Sequence, residues 1–154
     1  MRTSTARPGS AGEHNGIAPP FRLTTFDNDT GYDDLVVVAN ISFGSSWMRE
    51  QQLSGLAHVG YVPDGHIVGL SKLARAVEMF AARIDAEEPL AARTAEWLGS
   101  QLAPKGVGVV IEIEHRRLAH RAAPVTSTVT SSLHGTVRDD PRTRAEFLGL
   151  VRRR

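Results

Sequence analysis

No cysteine occurs among the 154 residues of this chain, and that absence excludes more chemistry than any motif supplies. No disulfide can form, and no thiolate can serve as a nucleophile or metal ligand. The compartment stays open on this evidence, because a cysteine-free chain suits reducing and oxidising surroundings alike. Also missing is any apolar run near the ~20 residues that a membrane-spanning helix requires. The N-terminus has no apolar h-region of the secretory kind, so a cytoplasmic protein is expected. Charge of one sign is lacking too. Lys and Arg number 18 against 17 Asp and Glu, so no global field favours nucleic acid or an acidic membrane surface. The tail Arg152-Arg153-Arg154 is expected to be a solvated terminus rather than a phosphate site.

What is present suits one soluble domain: 41% hydrophobic and 23% charged residues in a chain of ordinary single-domain length. Residues 1–20, rich in Gly, Pro, Ser, Thr and Ala and ending in Pro19-Pro20, cannot bury a core and are expected to form a disordered leader. The folded domain is then 21–154. Leu35 to Phe43 is β-branched and apolar, a strand, and Gly55 to Val62 is a second, closed by the turn signal Pro63-Asp64-Gly65. Leu73, Val77, Phe80 and Ile84 share one face of a helix, with Ser71 at the expected N-cap. A second helix starts near Pro89, carries Leu90, Trp97, Leu98 and Leu102, and stops at Pro104-Lys105-Gly106. Val107 to His115 alternates as a strand, Val125 to Val137 is a fourth, and Asp140-Pro141 opens a final helix with Phe147 and Leu150.

The order is ββααββ: an α+β fold with a four-stranded antiparallel sheet and helices on one face. Such a sheet has two open edges, an aggregation liability unless something covers them. Joining sheets of several copies into a barrel removes the edges, so a homo-oligomer is expected on physical grounds. Of the six histidines, none shows a short paired spacing, so no replacement metal site is expected. His58 is expected to be a strand residue with a structural hydrogen bond.

Thr24-Thr25-Phe26, Ala57-His58-Val59-Gly60-Tyr61, Gly69-Leu70-Ser71-Lys72-Leu73-Ala74-Arg75, Gly106 to His115 and Asp140-Pro141-Arg142-Thr143-Arg144 together resemble the GTP cyclohydrolase I family in order and spacing. The resemblance implies a tunnelling fold (T-fold) whose subunits join their sheets into a ring-shaped barrel, pentameric or decameric, with active sites between subunits and a small-molecule substrate. It implies that Ser71, Lys72, Arg75 and Arg121 hold the substrate triphosphate. Glu88 would grip the guanine edge, and His115 would act as the general acid. A hydroxyl, an ammonium and a guanidinium at a helix N-terminus do make a good anion site.

The departures concern the family's zinc. Its first metal segment, Cys-Glu-His-His, falls near Ser46-Trp47-Met48-Arg49 here, and the further cysteine ligand is Arg117, whose guanidinium cannot bind a metal. Ala122 replaces a glycine, and the following loop is shorter. Because metal-bound water reaches a pKa of about 7 against 15.7 in bulk, this reading expects neither zinc nor any other cofactor, and no GTP cyclohydrolase activity. It expects instead a metal-independent biosynthetic enzyme of specialised metabolism, doing acid–base chemistry on a small planar heterocycle. Glu88 and His115 would be catalytic, and Arg117 would join the substrate-binding cations, pairing with Glu50. The alternative is a non-catalytic nucleotide- or pterin-binding or regulatory paralogue.

Overall fold

A computed structural model describes residues 22–48, 51–82, 89–117 and 126–153, and for 45–48, 51–53, 115–117 and 126 it describes the backbone. The expected leader, and the segments holding Glu50, Glu88 and Arg121, lie outside the described residues. The elements run β1 (Thr25–Asp27), β2 (Val36–Met48), β3 (Gln51–Val62), β4 (His66–Val68), α1 (Leu70–Ala81), α2 (Leu90–Leu102), β5 (Gly106–Arg117), β6 (Thr126–Gly135), α3 (Thr136–Asp139) and α4 (Pro141–Val151).

The main sheet is antiparallel throughout in the order β2-β3-β5-β6. Side chains alternate across it. The odd-numbered Ala57, Val59, Tyr61, Val107, Val109 and Ile111 pack with Leu73, Val77, Phe80, Leu98 and Leu102 of α1 and α2. Phe80 and Trp97 lock the two helices edge to face, with ring centroids 5.6 Å apart at 72°. The even-numbered Val62 and Val110 face the other way and pack with Val137, Phe147 and Val151.

The helices are therefore not confined to one face, as the sequence pattern suggested. The pair α1 and α2 covers one side, and α4 caps one end of the other. Gly60 and Gly108, paired across β3 and β5, leave room for it. A Cβ on Gly108 would stand 2.6 Å from the Phe147 ring, and one on Gly60 would stand 2.8 Å from it.

Three local features differ from the sequence expectations. Thr25–Asp27 and His66–Val68 form a two-stranded ribbon, fastened by Val68 N–H donating to Tyr61 Oη at 3.2 Å. Asn28 holds its flanking turn by donating to the carbonyls of Tyr32 at 2.7 Å and Asp64 at 2.8 Å. The fourth strand stops at Gly135, whose φ of +59° breaks the extended chain, so Thr136 and Val137 turn into a helix instead. Ser71 is not the cap of α1. That place belongs to Gly69, extended and without a side-chain cap hydrogen bond, which puts Ser71 one residue inside the helix.

Candidate functional site

Helix α1 begins with no side-chain cap and no acidic residue in its first turn; there the Lys72 N–H donates to the Gly69 carbonyl at 3.0 Å. Ser71 and Arg75 are four residues apart and both exposed, and Lys72 beside them is half-buried. That spacing puts hydroxyl, ammonium and guanidinium on one side of the helix start. Leu73, Ala76, Val77 and Phe80 hold the other side in the core. The positive end of the helix dipole and two cations thus face outward together, an arrangement suited to a polyanion such as a phosphate chain.

His115 and Arg117 lie two residues apart near the end of β5, where His115 pairs with Leu53 and Thr126 and Arg117 pairs with Gln51. Both positions share the strand parity of Ile111 and Ile113. Helix α1, by contrast, starts from the Tyr61–Val107 end of the sheet, through the hydrogen bond between Val68 and Tyr61. From Val107 to His115 is eight residues of strand, about 26 Å at ~3.3 Å per residue. The cationic helix start and His115 therefore begin from opposite ends of the sheet. The segments holding Glu88 and Arg121 lie outside the described residues.

On the sheet's other face, beyond α4, an open trough of about 370 Å³ is lined by Ser42, Ser54, Leu56, Glu112, Glu114 and Val129, among others. The sequence reading did not single out these residues, since a strand's alternating polar positions look like a solvated face. His58 is 2% exposed. Its Nδ1 accepts the Asn40 N–H at 3.1 Å, and its Nε2 stands 3.9 Å from Glu112 Oε2. The structural hydrogen bond expected of it is present.

The described residues do not fit the thiolate-held zinc that the family resemblance implies. The chain has no thiolate to offer, and among the described residues no three His, Asp or Glu side chains converge on one point that could hold a metal ion. At the far end of the sheet, Asp140 caps α4. Its carboxylate accepts from Thr143 Oγ1 at 2.8 Å and from Arg142 N–H at 3.1 Å. Those hydrogen bonds hold its carboxyl below the usual range, the Thr143 contact most strongly. Among the described residues, no helix is long and apolar enough to cross a membrane.

Residues 12–152 match the profile of the family described as GTP cyclohydrolase I. The chain is 45% identical over 129 residues to a protein named GTP cyclohydrolase 1 from Synechococcus sp. (strain JA-3-3Ab), covering 80% of this chain and 56% of that protein. A Gloeobacter violaceus protein of the same name is 46% identical over 128 residues, covering 80% and 59%. One from Brucella canis is 39% identical over 132 residues, covering 84% and 62%. The chain thus spans somewhat over half the length of the curated relatives it matches.

These likenesses correct the functional expectation drawn from the sequence. A metal-independent enzyme of specialised metabolism, acting on something other than GTP, does not agree with relatives at 39–46% identity that are named GTP cyclohydrolase 1. The step that the relatives contradict ran from missing cysteine ligands to a substrate other than GTP. Imidazole and carboxylate also bind zinc, so a missing thiolate restricts the ligand set without abolishing it.

Proposed function

The chain belongs to the GTP cyclohydrolase I family, and from that premise we propose that it acts on GTP, opening the purine's imidazole ring by hydrolysis. The observation that carries this reading is the uncapped start of α1, with Ser71, Lys72 and Arg75 on one side of it. In this reading those three residues and Arg121 hold the triphosphate. The positive end of the helix and three cations match its charge. Glu88 accepts the two parallel N–H donors of the guanine edge, and His115 carries a proton to or from the opening ring. Arg117 adds a fixed positive charge close to His115 in the chain, where an anionic substrate approaches.

A diverged ligand set belongs to the same proposal. The stretch Ser46-Trp47-Met48-Arg49 and Arg117 fall where the family resemblance implies cysteines, so any metal the protein takes is held without a thiolate.

The site is proposed to close between copies. The α1 start and His115 belong to opposite ends of one sheet, so a GTP molecule meets both only where two subunits adjoin. Strands β2 and β6 are the open edges of the sheet, and pairing them between neighbours builds the barrel of a pentamer or decamer in the cytoplasm.

The test is conversion of GTP to formate and dihydroneopterin triphosphate by the purified chain. Lys72→Ala and Arg75→Ala should each raise KM for GTP about 10- to 100-fold, the loss of a hydrogen bond to a charged group. Unchanged GTP after prolonged incubation with wild-type protein, with and without added divalent metal, would overturn the reading.

A further inference from the structure

The apolar residues of β2 break step in the middle of the strand. Val36 and Val38 pack against the core beneath α1 and α2, and so do Ile41 and Phe43. Strict alternation would send the second pair to the opposite face. The structure resolves this with a bulge. Val38 pairs with Val59 and Ile41 with Ala57, so Ala39 and Asn40 together stand opposite the single residue His58. Asn40 takes a left-handed φ of +58° to do so, a conformation that asparagine tolerates better than other side-chain-bearing residues. Its N–H turns away from the regular ladder and finds His58 Nδ1 at 3.1 Å.

We propose that His58 is a positioning residue: its neutral imidazole, accepting through Nδ1, sets the phase of β2 from Ile41 to Ser45, the stretch that ends opposite Leu53 and, through it, His115. An imidazole that accepts at Nδ1 carries its proton at Nε2, and Nε2 is the atom that faces the Glu112 carboxylate. The carboxylate therefore selects the tautomer that the bulge requires. A one-residue slip of phase would turn Ile41 and Phe43 out of the core. It would also reverse every position from there to Ser45, where a second register shift, between Ser45 and Met48, resets the phase at the strand's end. That end pairs, through Leu53 and Gln51 of β3, with the stretch of β5 that carries His115 and Arg117. The catalytic half of this inference rests on the GTP-directed reading above; the bulge itself does not.

Nitrogen-15 NMR of the full chain at neutral pH tests it. The expected spectrum has His58 unprotonated at Nδ1 and protonated at Nε2, with Asn40 carbon shifts of a left-handed residue. His58→Asn places an acceptor oxygen where Nδ1 stood, and should keep the Asn40 amide protected and kcat near the wild-type value. His58→Leu removes the acceptor; it should speed Asn40 exchange about tenfold and lower kcat more than it changes KM. A wild-type imidazole protonated at Nδ1 would overturn the proposal, and needs no variant, so it decides the case in which His58→Leu does not fold. Equal Asn40 exchange in His58→Leu and wild type would overturn it as well. The expected tautomer in a chain without GTP turnover would overturn the catalytic half alone, together with the proposed function.

Discussion

At the scale of single residues, Thr94 stands out because its hydroxyl is wholly buried and no hydrogen-bond partner meets it among the described residues. A buried unpaired hydroxyl costs about 1–3 kcal/mol. Thr94→Val keeps the shape and removes the polar atom, so it should raise stability by about 1 kcal/mol in denaturant titration, with GTP turnover unaffected. His58 was legible in the sequence as a structural strand histidine, since it sits within an apolar strand with no nearby metal-like partner. Its partner was not. The amide it accepts belongs to Asn40, eighteen residues away, and is available only because β2 bulges there. The helix-cap role expected for Ser71 was a near miss with a simple cause. Ser is a good N-cap residue by chemistry, but the extended backbone of Gly69 already ends the preceding strand and starts the helix two residues sooner.

Among the elements, α4 shows how two glycines and a ring fix a packing. Phe147 is fully buried over the facing glycines of β3 and β5, and backbone cannot retreat as a flexible side chain can. Gly108→Ala should therefore cost about 1–3 kcal/mol, the usual range for overpacking, read as a lowered Tm. The cap of α4 gives a pH dependence. The Asp140 carboxyl titrates below its ordinary value in the folded chain, so the unfolded state binds the proton more readily. Its stabilising contribution is present above the ordinary carboxyl pKa of about 3.9 and fades as pH falls through the lower folded value. Asp140→Asn should flatten the fall of Tm on the acid side of that range while leaving the neutral-to-alkaline limb parallel to wild type.

The long periodic elements were legible: α1, α2, α4 and the apolar strands β3 and β5 all follow their sequence pattern. The ribbon of β1 and β4 was not, because strands of three residues are too short to show a period. Helix α3 was hidden because Thr136 and Val137 are β-branched and continue the strand's composition, while the turn depends on the left-handed Gly135 before them.

For the whole molecule, the four-stranded sheet and its two open edges followed from the order of elements. The second-face helix did not, because which side a terminal helix takes depends on the paired glycines rather than on its own pattern. Of the candidate site, the sequence showed Ser71, Lys72 and Arg75 together at the start of α1 but not their separation from His115. That distance arises from the ribbon, which starts α1 at the Tyr61–Val107 end of the sheet. Val129 on edge strand β6 is 59% exposed, an apolar residue on an open edge of the kind that pairing between copies would cover. The proposed site, divided between the two ends of one sheet, makes the strongest demand on the proposed assembly.

The most direct measurement is complementation between two variants, Lys72→Ala and His115→Ala, prepared separately and then dissociated and reassembled together. Each alone should convert GTP to formate poorly, and mixed oligomers should regain conversion, since a subunit interface then joins an intact α1 start to an intact His115. Mixed oligomers no more active than the variants alone, alongside an active wild type taken through the same procedure, would contradict a site shared between copies.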